Sequence, residues 1–154
     1  MAFYQSKQVK AGAQAPSPDE AFDVIPVTAE FVTPTGGVAI GDIIEMGALP
    51  DNCIPLDLIV HTGVLGASVT LDAGMVSGVY AKNDAARTMG NEFLAAGVAA
   101  TAVMLRCTKS LGAIAPNDSP RGWGLKVGGA TTSAGITIRA TLLCAVAPLG
   151  VVNV

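Results

Sequence analysis

Short runs of alternating apolar and polar residues, each closed by glycine or proline, recur along most of this chain and favour β-strands over helices. The clearest series lies between Gly36 and Gly74. It reads Gly-Gly-Val-Ala-Ile-Gly-Asp-Ile-Ile-Glu-Met-Gly-Ala-Leu-Pro, then Asp-Asn-Cys-Ile-Pro, then Leu-Asp-Leu-Ile-Val-His-Thr-Gly, and it closes on Val-Thr-Leu-Asp-Ala-Gly. Three consecutive strands are predicted there, with breaks at Gly36-Gly37, at Pro50-Asp51-Asn52 and in the loop from Gly63 to Gly66. In the third strand Val69, Leu71 and Ala73 fall on one face and Thr70 and Asp72 on the other, the period of two of a half-buried strand.

The same pattern extends to both sides. Ile25, Val27, Ala29 and Phe31 share a parity, and Pro26, which has no N–H to give a ladder, places this strand at an edge. Val38, Ile40, Ile44 and Met46 also share one, but so does Asp42, whose carboxylate would then face the core. Two resolutions are open: a β-bulge at Gly41, which is favoured, or a rim position at which Asp42 accepts backbone N–H bonds. The bulge would put Asp42 and Glu45 on one exposed face. Pro55 is expected to delay the next strand until Leu56, with Leu56, Leu58 and Val60 on one face and Asp57, Ile59 and His61 on the other. Met75 to Tyr80 continues or restarts a strand, and Asn83-Asp84 is able to cap a helical turn in the polar stretch after it. A short helix from Glu92 to Ala96 is predicted, then a strand from Thr101 to Thr108 and a loop from Ser110 to Trp123. Trp123, Leu125 and Val127 alternate, as do Ile136, Ile138, Ala140 and Leu142. Strands at spacings of roughly 8 to 15 residues predict an all-β fold, an antiparallel β-sandwich of jelly-roll type in a single domain. Its expected limits are residues 21–147, with an N-terminal arm over 1–20 and an apolar tail over 148–154.

Composition says what that domain does with its surface. Of 154 residues 51% are hydrophobic and only 14% charged, with mean hydropathy +0.53, against about 25% charged in an average globular chain. So few charges do not cover an isolated surface, and part of it is expected to be buried against other subunits. A membrane is not the expected partner. The longest nearly unbroken apolar stretch, Phe93 to Leu105, contains Gly97 and Thr101 and falls short of the ~18 to 20 residues a spanning helix needs. Aromatic residues make up 5%, too few for the girdles of a transmembrane barrel, and the first residues do not read as a secretory signal. With net charge −3, pI ≈ 4.9 and no basic run, no nucleic-acid partner is expected.

Chemistry has few residues to work with. Cys53, Cys107 and Cys144 are scattered among apolar neighbours and read as buried thiols. His61 is the only histidine and has no metal-ligand spacing around it, so a surface position is expected. Gly122, Gly124 and Gly128 miss the phosphate-loop spacing by one residue. No cofactor, metal or catalytic residue is predicted. The candidate residues are for contact. Arg121 and Trp123 are of the types that dominate interfaces, although a lone Trp after a loop is as readily a core plug. Phe3 and Tyr4 either belong to a leader with no structure of its own or anchor an arm across a neighbouring subunit. Leu149, Val151 and Val152, in a tail that would be an aggregation hazard if exposed, are expected to dock on a neighbour or a larger lattice.

The strands from Gly36 to Gly74, together with Asn91-Glu92-Phe93-Leu94-Ala95-Ala96, Arg121-Gly122-Trp123-Gly124-Leu125 and Thr131 to Leu142, resemble head auxiliary proteins of tailed bacteriophages. These are the decoration or cement proteins on the outside of the capsid, and the resemblance spans roughly residues 36 to 145. It implies a virion structural protein, made in the host cytoplasm, that binds the major capsid protein, clamps adjacent capsomers and associates with itself, commonly as a homotrimer. Another virion role, in a tail, spike or receptor-binding module, is the alternative; the exposed loop clusters a spike needs are sparse. An enzyme is not expected, since one His, no Cys cluster and few carboxylates give it little to be built from.

Overall fold

In the computed structural model, which describes residues 1–12 and 24–147, two β-sheets pack face to face. The elements in order are β1 (Phe3–Gln5), α1 (Lys7–Lys10), β2 (Val24–Val32), β3 (Ile43–Leu49), β4 (Cys53–Thr62), β5 (Thr70–Met75), β6 (Leu94–Val98), β7 (Val103–Arg106), β8 (Arg121–Gly128) and β9 (Thr137–Val146). One sheet has the order β1-β3-β8-β5-β6 and the other β2-β9-β4-β7. Apart from the parallel β1–β3 pair, the named strands pair antiparallel. The all-β sandwich expected from the strand pattern is thus the fold observed. The three strands of the Gly36–Gly74 series exist but are not neighbours: β3 and β5 flank β8 in one sheet, and β4 lies in the other. Turn residues close the local chain, whereas pairing is decided by which distant strand offers a complementary face.

The core lies between the sheets. Ala29 and Phe31 of β2, Leu58 and Val60 of β4, and Ile138, Ala140 and Leu142 of β9 face Ile44 and Met46 of β3, Leu71 and Ala73 of β5, and Trp123, Leu125 and Val127 of β8. Each of the larger aliphatic side chains among them contributes about 1.5–3 kcal/mol by leaving water, and the alanines less. The expected edge position of the Pro26 strand holds, since β2 is the outer strand of its sheet.

Four expectations need correction. No bulge forms at Gly41. It sits in a turn at φ +86°, β3 begins only at Ile43, and Asp42, 4% exposed, accepts the Ala2 N–H at 2.5 Å. The backbone donation of the other resolution is used, but at a buried position and not at the rim. Glu45 is buried rather than exposed with Asp42, because all of β3 is covered on both faces.

Second, β4 starts at Cys53 with Pro55 inside it, and the register shifts between Pro55 and Asp57. Cys53 and Pro55 point inward before the shift, Leu58 and Val60 after it, and Leu56 is turned out to 46% exposure. Period two survives, but the extra residue changes its phase.

Third, the segment expected to be a helix over Glu92–Ala96 instead enters β6 at Leu94. A few tenths of a kcal/mol of alanine helix propensity lose to the ladder with β5 (Thr70↔Val98, Leu71↔Gly97). Fourth, Asp84 caps a turn rather than a helix, its Oδ1 accepting from Ala86 N at 2.9 Å. The short helix that does form, α1, lies where none was expected, capped by Ser6 Oγ accepting from Val9 N at 3.2 Å.

Candidate interface

The first residues are fastened to their own chain. The open edge of β3 presents unpaired backbone groups, and β1 satisfies them in register Phe3↔Ile43, Tyr4↔Ile44, Gln5↔Glu45. Ser6 extends the attachment: its N–H donates to Glu45 O at 2.8 Å and its buried Oγ donates to Met46 O at 2.5 Å. Tyr4 meets Phe31 edge-on at 5.9 Å between ring centroids. Phe3 and Tyr4, read from the sequence either as part of a leader with no structure of its own or as anchors on a neighbour, pack here within the molecule, on the strand their backbone completes. Lys7 Nζ then reaches Glu30 at 2.6 Å, and Arg139 reaches the same carboxylate at 3.0 Å from β9. The hydrogen bond from Lys7, then that from Arg139, lowers the Glu30 pKa below the usual carboxylate value.

On the other side of β3, Glu45 meets Arg87 at 2.6 Å with side chains 0% and 3% exposed. Glu45 also accepts from Ala81 N at 3.2 Å. The guanidinium donates to Ser77 O at 2.5 Å and Lys82 O at 2.9 Å, and it lies 4.9 Å from the centroid of the Phe3 ring. A buried ion pair repays its desolvation only when its remaining donors and acceptors are also bonded, and here the loop backbone bonds them. The pair fastens the 76–90 loop to the sheet and fixes Val79, 70% exposed, at its tip. Nothing in the local pattern couples Glu45 to an arginine 42 residues away. The one available sign was an acidic residue in an apolar strand.

That loop forms one wall of a groove of ≈ 830 Å³. Met75 to Tyr80 line one side and Asn117 to Arg121 contribute to the other. Arg121 is half-buried at the head of β8, donates Nη2–H to Ala115 O at 2.6 Å, and has its pKa lowered by burial. Of the two readings of Trp123 the core plug is the one observed: it is 0% exposed, it belongs to the core between the sheets, and its indole Nε1 has no partner among the described residues. Arg121 and Trp123 share a parity on β8, but Arg121 stands half-buried at the first position of the strand while Trp123 lies within the core, so the two do not form one exposed patch. Leu149, Val151 and Val152 lie outside the described residues.

Exposed His61 lines a second, shallower cleft with Met104 and Arg139. Among the described residues no group of three or more His, Cys, Asp or Glu side chains is placed to hold a metal ion, and no helix is long and apolar enough to cross a membrane. Cys53 and Cys144 are buried side by side on β4 and β9, where burial first and then the Cys53 sulfur push the Cys144 thiol up to about 12.

Against solved structures, the chain superposes on a chain in the capsid of Ralstonia phage GP4 with TM-score 0.85 and 36% identity, over 94% of this chain and 97% of that one. It belongs to that phage capsid protein's family. A similar fold occurs in the cyanophage Pam1 capsid asymmetric unit (TM-score 0.61, 19% identity, 87% of this chain and 94% of that one). Another lies in the acid-stable capsid of Helicobacter pylori bacteriophage KHP30 (TM-score 0.50, 16% identity, 81% and 90%). At those identities the likeness is one of fold. No protein-family model and no curated protein matches the chain. Family membership agrees with the sandwich architecture and places the expectation of a phage capsid-related protein on end-to-end similarity rather than on turn patterns.

Proposed function

We propose that the protein is a non-enzymatic virion component, a decoration or cement protein that binds the outer surface of the head and clamps adjacent capsomers. The observation carrying this reading is the end-to-end similarity to a chain of an assembled phage capsid. The chain's own chemistry supports it. With 14% charged residues and exposed apolar side chains at Val24, Leu56, Val79, Val98 and Met104, the sandwich offers contact area on several sides. The net charge of −3 suits a protein that meets the outside of a shell rather than packaged DNA. Its partners are then the major capsid protein and further copies of itself, as a homotrimer, and its location is the capsid surface after synthesis in the host cytoplasm. A ligand that prefers the intact lattice stabilises that lattice by mass action, so binding raises the cost of bursting the head. Purified heads lacking the protein test this: added protein is expected to cosediment to a fixed saturating ratio and to raise the temperature of DNA release. Failure to bind, or binding to tails alone, overturns the reading.

A further inference from the structure

We propose that the groove between residues 75–80 and 117–121 receives the C-terminal segment, residues 148–154, of a second copy of this chain. The inference rests on the reading of the chain as an assembling virion subunit and names the contact through which copies hold one another.

The receiving surface is preformed. Its volume of ≈ 830 Å³ lies within the range of about 300–1,000 Å³ typical of binding sites. Met75, Val76, Val79 and Pro120 give it apolar walls, and the buried Glu45–Arg87 pair holds the loop bearing Val79 in place. Arg121 adds directed polarity. Its guanidinium has five N–H donors, of which the bond to Ala115 O uses one, and an extended peptide offers carbonyl oxygens to the others.

The donor segment starts beside this surface. Ala147, the last residue described, donates its N–H to Asn52 O at 2.8 Å, and Asn52 donates to Asn117 O at 2.7 Å. Asn117 lines the groove, so the chain leaves the sandwich two hydrogen bonds from the groove wall. Beyond Ala147 the sequence is Pro-Leu-Gly-Val-Val-Asn-Val, with no charged side chain. Fully extended, these residues span at most ~25 Å. Exit and groove lie side by side on one molecule. A rotation axis passing close to that place therefore brings the exit of one copy within reach of its neighbour's groove. Contacts of this head-to-tail kind close into rings when the rotation allows.

Disulfide trapping in the full-length chain tests the contact, with Val79→Cys on the groove and Val152→Cys on the segment. Mild oxidation with diamide takes two electrons and two protons from the paired thiols, reducing the diazene to its hydrazine as the S–S bond forms. The double variant is expected to give covalent dimers and higher oligomers on a non-reducing gel, at least tenfold above either single variant. A cross-link confined to the monomer assigns the groove to the chain's own segment and overturns the proposal, as does the absence of any cross-link. A second measurement avoids cysteine: Val79→Glu is expected to weaken self-association at least tenfold in sedimentation velocity, with the circular dichroism of the sandwich unchanged. Unaltered association overturns the proposal. If cross-linked oligomers form but do not bind heads, the segment exchange stands and the decoration reading falls.

Discussion

Glu45 and Arg87 form the most deeply buried ion pair among the described residues. With 0% and 3% of their side chains exposed, loss of one partner strands a buried charge. Glu45→Gln or Arg87→Met is expected to lower unfolding stability by about 3–5 kcal/mol in urea titrations. Replacing both by apolar residues should cost much less than the sum, and a double-mutant cycle reads the difference. Gly122 lies directly against the Glu45 carboxylate, where an added Cβ would collide with Oε1. Gly122→Ala is therefore expected to destabilise through the same ion pair.

The rim carboxylate behaves differently. The folded pKa of Glu30 lies below its ordinary value of 4.5 because of Lys7 and Arg139. Its contribution is thus fully present above the unfolded value and is lost as pH falls through the folded one. The stability gap between wild type and Glu30→Gln should be constant at neutral pH and shrink below about pH 4.5; a gap that widens in acid would contradict this. Thiol reactivity offers a third check. Burial raises the pKa of Cys53 and Cys144, so only half-exposed Cys107 should react with Ellman's reagent in the native protein at pH 8. All three cysteines should react after denaturation.

Among the elements, β6 shows how tertiary pairing overrides local preference. Ala95 and Ala96 favour a helix on propensity, yet Ala96 adopts φ +49° opposite the register shift between Leu71 and Ala73 of β5. Asp72 Oδ1 accepts the Ala96 N–H at 2.8 Å and holds the irregularity. The two readings predict opposite signs for one substitution. In a helix interior Ala96→Gly costs about 1 kcal/mol. At a left-handed position it relieves strain of about 1–2 kcal/mol, so a thermal-unfolding midpoint at or above that of wild type is expected. The N-terminal segment is the complementary case. Nothing in Phe3-Tyr4-Gln5 requires a strand, but the unpaired edge of β3 supplies one side of a ladder and makes it one.

For the molecule as a whole, scarce charge and exposed apolar side chains at Val24, Leu56, Val79, Val98 and Met104 go together with membership of a phage capsid protein's family. The strand parities of β2, β5, β8 and β9 were legible in the sequence because each obeys a rule acting over two residues. The turns were legible because glycine and proline act locally. The inward phase of β4 beyond Pro55, the strand at β6 and the companionship of Glu45 with Arg87 were not. Each depends on a partner tens of residues distant, and a linear pattern holds no record of which edge or charge will be waiting there. Sheet order, the groove and the choice between plug and contact for Trp123 arise only when two faces meet, since burial is a property of the pair of surfaces and not of either strand.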